Sequence, residues 1–160
     1  MKNTLIALFA LLLIVFSTSP LEAEDRPPFD GAKSALFAEL LGNGLLFTLN
    51  YDTRISNRFG IRGGIGYIGS LDGEGGILTI PINANFLLGN NGKYFEVGAG
   101  FTFVGGDFFD TDNRIATSLT FMYRSQPQDG GFMWRAGFAP LIIDKIVIPY
   151  YVGLGLGYSF

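Results

Sequence analysis

The sequence predicts an all-β fold: an eight-stranded antiparallel up-and-down β-barrel that crosses a membrane with its strands, after an N-terminal signal peptide. Two features point there first. Apolar and small or polar residues alternate in stretches of about ten, broken by Gly, Asn and Asp clusters, which is the mark of strands. The bulk falls on one face of those strands, while the other carries Gly, Ser, Asn, Thr and a few charges. Composition agrees: the chain holds 23 Gly and 16 Phe, with a charged fraction of only 16%.

The first element is an address. MKNTLIALFALLLIVFSTSPLEA has one lysine, then the unbroken apolar run Leu5–Phe16, then small and polar residues. That run falls short of the ~20 residues a membrane-spanning helix needs and fits the core of a secretory signal. Cleavage is expected after Ala23. Residues 24–32 then form a short, polar, proline-containing periplasmic lead-in, and residues 33–160 form the barrel.

The strands are expected near 33–41, 45–53, 59–68, 77–87, 93–104, 114–124, 131–140 and 149–160. In the second, Leu45, Phe47, Leu49 and Tyr51 share a face against Thr48, Asn50 and Asp52. The fourth sets Leu78, Ile80, Ile82, Ala84 and Phe86 against Thr79, Pro81, Asn83 and Asn85. In the fifth, Phe95, Val97, Ala99, Phe101 and Phe103 oppose Glu96, Gly98, Gly100 and Thr102. The sixth and seventh repeat the pattern, with Arg124 and Arg135 on their small and polar faces. The eighth, VGLGLGYSF, alternates large residues with Gly or Ser up to the last position.

A soluble barrel would turn the bulky faces inward. Five or six large side chains from each of eight strands would overpack it. Inversion removes the difficulty, with bulky residues toward lipid and small or polar ones toward a narrow lumen. Closure also gives every strand N–H and C=O a partner. A secreted soluble barrel holding an apolar ligand is the alternative. With the N-terminus periplasmic, the periplasmic turns are RISNR, LGNNG and SQPQDG. The outer loops are GNG, GSLDGEGG, GGDFFDTDN and IIDKIVI. These carry Asp72, Glu74, Asp107, Asp110, Asp112 and Asp144 against Lys145 alone, an acidic outer surface open to a partner.

The chain has no Cys and no His. That excludes disulfides, thiolate chemistry and Ser/His/Asp catalysis. A net charge of −3 without a basic patch argues against nucleic acid. The nearest thing to a chemical site is the lumen-facing set Glu39, Asp52, Arg62, Glu96, Arg124 and Arg135, with Arg54 and Arg114 toward the ends. Inside a barrel such charges need water or a partner, and arginine forks suit carboxylates. Two readings follow: a structural network plugging the lumen, or a narrow gated pore for small solutes. Catalysis by a pair such as Glu39 and Glu96 would need a cleft that the pattern does not provide. The glycines of GGIGYIGS read as strand residues, since no helix follows them. NNGK and GNG read as turn residues of positive φ. The aspartates of GGDFFDTDN read as solvated loop charges, with Phe108 and Phe109 free to touch headgroups or a partner. No metal site and no cofactor is expected.

The signal peptide, eight alternating strands and terminal aromatic together resemble the small outer-membrane β-barrels of Gram-negative bacteria, broadly the OmpA/OmpX type. FAELLGNGLLFTLNYDTR, YFEVGAG and YRSQPQDGGFMWRAGFAPLI are similar to a family of uncharacterised small outer-membrane barrels. The resemblance implies location in the cell outer membrane, contact with its lipid, and a C-terminal strand read by the barrel assembly machinery. That role would fall on Gly155, Tyr158 and Phe160. It implies no particular activity, since barrels of this class serve as anchors, adhesins, small channels or lipid-modifying enzymes. The lipid-modifying ones use a catalytic histidine, so the expectation is a non-enzymatic barrel with a structural or surface-interaction role.

Overall fold

The computed structural model describes residues 31–69, 76–106, 114–143 and 146–160. Eight strands make the barrel: β1 (Ser34–Leu41), β2 (Phe47–Arg54), β3 (Phe59–Gly69), β4 (Gly76–Asn90), β5 (Lys93–Gly106), β6 (Arg114–Ser125), β7 (Gly131–Phe138) and β10 (Val152–Ser159). Between β7 and β10 stands a short hairpin, β8 (Leu141–Ile143) with β9 (Ile146–Ile148). Every pairing is antiparallel, the eight barrel strands pair in chain order, and β10 pairs with β7 on one side and β1 on the other. The sheet therefore closes on itself without a free edge among the eight. Closure extends to the last residue: Ser34 N–H donates to Phe160 C=O at 2.9 Å and Phe160 N–H to Ser34 C=O at 2.8 Å.

The alternation sets the two faces as the sequence predicts. Leu49, Tyr51, Ile61, Ile65, Ile82, Phe95, Phe101, Trp134, Leu154 and Leu156 are exposed on the outside. Thr48, Asn50, Asp52, Arg62, Asn83, Asn85, Glu96, Thr120, Arg124 and Arg135 are buried inside. One end carries tight connections. There Asn91 (φ 53) and Gly92 (φ 76) make the two-residue, positive-φ hairpin that joins the two longest strands, β4 and β5. A Cβ on Gly92 would stand 2.8 Å from the Gln126 carbonyl oxygen, so glycine also lets two neighbouring turns meet. At this end Ala32 N–H donates to Gln128 C=O at 2.5 Å, which ties the lead-in to the rim.

The opposite end departs from expectation twice. IIDKIVI is not wholly a loop, because its apolar residues form β8 and β9. The pairing of β8 with β6 (Ser118↔Leu141, Ala116↔Ile143) continues the register that β7 holds with β6 (Phe121↔Phe138). The strand thus runs on past Phe138, interrupted at Ala139 and Pro140. Proline cannot donate to a ladder, and here Pro140 faces Pro149 and Tyr150, a two-against-one mismatch that shifts the hairpin by a residue. β10 accordingly starts at Val152 rather than near 149.

The second departure is GNG. Gly42–Gly44 is a single turn of 3-10 helix whose three residues are all buried, and β2 starts only at Phe47. The expected signal-peptide cleavage site at Ala23 lies outside the described residues, as do Asp72, Glu74, Asp107, Phe108, Phe109, Asp110, Asp112, Asp144 and Lys145.

Candidate functional site

The lumen is built in three layers. The middle layer holds the predicted charges, one from each of six strands: Glu39 on β1, Asp52 on β2, Arg62 on β3, Glu96 on β5, Arg124 on β6 and Arg135 on β7. The side chains that form the pairs are fully buried. Asp52 and Glu96 sit between the same two arginines. Arg62 Nε lies 3.2 Å from Asp52 Oδ2, and its Nη2 bonds Glu96 Oε1. Arg124 completes the square, with Nη2 3.0 Å from Asp52 Oδ1 and Nη1 3.3 Å from Glu96 Oε2. Asn85 Nδ2 donates to Asp52 Oδ2 at 2.8 Å.

Arg135 joins from the side, with Nη1 3.3 Å from Glu96 Oε1 and Nη2 3.5 Å from Glu39 Oε1. Register puts Arg124 and Arg135 directly opposite each other. Two like charges there would repel, and Glu96 reaches both. The Arg135 guanidinium also donates to Met122 Sδ, from Nε at 3.0 Å and Nη2 at 2.6 Å. Phe37 lies beneath two guanidinium groups, 5.2 Å from Arg62 and 5.4 Å from Arg135, within the range of cation–π attraction.

β10 supplies room rather than charge. A Cβ on Gly155 would fall 2.7 Å from Arg135 Cγ and 3.1 Å from Phe37 Cδ2. Gly157 leaves similar space for Phe37.

The layer at the tight-turn end is mixed. Arg54 stacks on Tyr94 with 4.8 Å to the ring centroid, and Leu87 and Met133 are buried. Gln126 Nε2 donates to the Ala32 carbonyl at 3.0 Å.

The third layer, at the other end, is neutral and polar. Its centre is Asn43, carried into the lumen by the Gly42–Gly44 turn. The turn lies against β1, β3, β4, β5, β6 and β10. Asn43 Nδ2 donates to Asn83 Oδ1 at 2.6 Å and to Thr120 Oγ1 at 2.8 Å, while Thr102 Oγ1 donates to the Asn43 carbonyl at 2.5 Å. Only glycine fits on either side of it. A Cβ on Gly42 would be 2.6 Å from Glu39 Cδ, and one on Gly44 2.2 Å from Thr48 Cγ2.

The inward turn forces unusual backbone on its flanks. Leu41 has φ 58 and ψ −138, and Leu45 has φ 79 and ψ −71. The second pair of angles is that of a strained γ-turn, closed by Leu46 N–H donating to Gly44 C=O at 3.2 Å. The Tyr151 hydroxyl, beside the start of β10, donates to the Leu45 carbonyl. Burial raises its pKa above the ordinary tyrosine value, with the nearby Glu39 carboxylate adding to the effect.

The six predicted lumen charges are thus one connected group. Phe37, Met122 and Asn43 were not foreseen in it. Phe37 was readable, since it stands two residues from Glu39 on the same strand face. Among the described residues no three acidic side chains converge as a metal site requires. Comparison with family models, curated proteins and solved structures finds no match. The expected OmpA/OmpX-type kinship thus has no support from that side, and the closed eight-stranded barrel stands on its own geometry.

Proposed function

We propose that this chain is a non-enzymatic integral β-barrel of the Gram-negative cell outer membrane, with a structural or surface-interaction role and a lumen plugged by its ion-pair network. The observation that carries this reading is the inverted distribution of residues. Among the described residues, the outward faces of the eight strands bear one charged side chain, Lys93, and it stands at the two-residue turn. The rest are large apolar residues, small ones, uncharged Thr and Ser, and Asn90 opposite Lys93 at that turn. Aromatic residues gather toward both ends: Tyr51, Phe95, Tyr123, Trp134, Tyr158 and Phe160 at one, Phe47, Tyr67, Phe103, Phe138 and Tyr150 at the other. Soluble monomers rarely expose contiguous apolar patches beyond a few hundred Å², whereas an apolar band between aromatic girdles suits lipid. An apolar ligand inside the barrel is disfavoured by a lumen lined mainly by charged and amide groups.

In this reading Gly155, Tyr158 and Phe160 carry the C-terminal signal for the barrel assembly machinery, and the acidic outer loops meet a surface partner. A narrow pore for small solutes is the second reading. It is favoured by buried polar atoms without hydrogen-bond partners among the described residues, such as Arg62 Nη1, Asn85 Oδ1 and Arg124 Nε. Such atoms take water.

Fractionation tests the location: the chain should partition with outer-membrane lipid and migrate differently on gels before and after heating in detergent. Recovery in the soluble periplasmic fraction would overturn the reading. Planar-bilayer recording separates the two roles, because reproducible single-channel steps would replace the plugged barrel by the pore.

A further inference from the structure

We propose that the Gly42–Gly44 turn is a displaceable stopper, and that Asn43 occupies a binding cup for small uncharged molecules bearing an amide or hydroxyl groups. The inference rests on the fold alone and not on the membrane reading.

The cup wall has its own chemistry. Thr48, Thr79, Asn83, Thr102, Ser118 and Thr120 are buried and uncharged, while the pairs between Arg and acidic groups lie in the layer beyond. Asn43 is held there as a ligand would be, through both its carboxamide and its backbone carbonyl. The wall has capacity to spare. Asn83 is 3% exposed, yet its Nδ2 has no hydrogen-bond partner among the described residues. Glu39, next to the turn, pairs with Arg135 at 3.5 Å, yet its carboxylate oxygens have no hydrogen bond among the described residues. An occupant offering an acceptor to Asn83 and a donor to Glu39 would use groups that Asn43 leaves idle.

The turn is built so that it can leave. Its flanking leucines hold positive-φ backbone that L side chains rarely adopt, and withdrawal relieves that strain. Against this stand the Asn43 hydrogen bonds and the Tyr151 contact with the Leu45 carbonyl. Together these bonds keep the closed state favoured, and the strain on the leucines keeps the open state within reach.

The chain has no cysteine, so a single one reports access. Ser118→Cys places a thiol in the wall, and iodoacetamide is itself a small uncharged amide. In the purified full chain, this thiol should be alkylated far more slowly than one at the exposed turn position in Ser56→Cys. Adding Tyr151→Phe should raise the rate about fivefold, the equivalent of one lost hydrogen bond. Asn43→Ala should raise it further, and unreactive acetamide should slow labelling of that variant by competition. Ser159→Cys, buried on the inward face of β10 at the far end of the lumen, should be indifferent to both changes, which separates opening of the stopper from general loosening.

Equal protection with and without Asn43, in variants with the same unfolding midpoint, would overturn the stopper. Rapid labelling of Ser118→Cys alone would do the same. Absence of acetamide competition would overturn the cup.

Discussion

Removing the charge of Glu96 should damage this barrel far more than removing that of Glu39, although both carboxylates are buried in one lumen. Glu96 bonds Arg62 and lies 3.3 Å from both Arg124 Nη1 and Arg135 Nη1. In Glu96→Gln, three buried guanidinium groups keep only Asp52 and the distant Glu39 as counter-charges. Breaking a buried pair by deleting one partner costs about 3–5 kcal/mol. The glutamine oxygen still accepts a hydrogen bond, so the expected loss is about 3 kcal/mol, toward the low end of that range. Among the described residues Glu39 makes one ion pair, 3.5 Å from Arg135 Nη2, and no hydrogen bond. That separation exceeds an ordinary hydrogen bond, and Arg135 keeps Glu96 as its counter-charge, so Glu39→Gln should cost clearly less than Glu96→Gln. Trp134 is the only tryptophan, with Tyr123 at 5.3 Å between ring centroids, so its fluorescence reports unfolding. With a urea slope of about 1–3 kcal/mol per molar, Glu96→Gln should lower the midpoint of the detergent-folded chain by roughly 1–3 M. Equal losses for the two variants would refute the view that Glu96 is the hub.

Glycine substitutions separate lumen from outer face by the same assay. Gly155→Ala pushes a methyl group to within 2.7 Å of Arg135 Cγ and should cost about 1–3 kcal/mol by overpacking. At Gly63, on the outer face, a Cβ meets nothing within 4 Å, so Gly63→Ala should be neutral or stabilise by up to about 1 kcal/mol. Gly92→Ala puts a side chain at φ 76 and close to the Gln126 carbonyl. It should cost about 1–2 kcal/mol and slow refolding if the β4–β5 hairpin forms early, which stopped-flow fluorescence would read.

The strands and their two faces were legible because alternation encodes both. Asp52, Arg62, Glu96, Arg124 and Arg135 share the small and polar face of their strands, so their meeting followed once the barrel closed. Their pairing did not follow: which arginine reaches which carboxylate depends on stagger between strands that are distant in sequence. Asn43 was illegible for another reason. GNG carries the composition of an exposed turn, and nothing local says that Leu41 and Leu45 will take positive φ to bring it inside. The β8–β9 hairpin was missed because IIDKIVI, bounded by the prolines at 140 and 149, reads as one outer loop between two strands. In the structure they mark a shift of register within a strand pair that continues.

A buried ionic square costs more to desolvate than an apolar filling would, so its presence here calls for a reason other than stability. Register supplies one. A one-residue slip exchanges the faces of a strand, and in a lumen filled with Leu and Ala both faces would tolerate it. The inward charges make the exchange expensive. A slip of β3, β6 or β7 would turn Arg62, Arg124 or Arg135 outward, which under the proposed membrane location costs roughly 2–4 kcal/mol each at the lipid midplane. β10 has no charge to lock it, but a slip would force Leu154 or Leu156 into the space that Gly155 leaves for Arg135 and Phe37. A variant that replaces the square by uncharged groups of similar volume, Asp52→Asn, Arg62→Met, Glu96→Gln and Arg124→Met together, tests this directly. Its unfolding free energy should stay within about 2 kcal/mol of the parent's, because whole-pair replacement is often nearly neutral. Its amide NMR spectrum should divide into more than one set of signals for β2, β3, β5 and β6. A single sharp set would mean that the outer face and the glycines of β10 hold register without help from the charges.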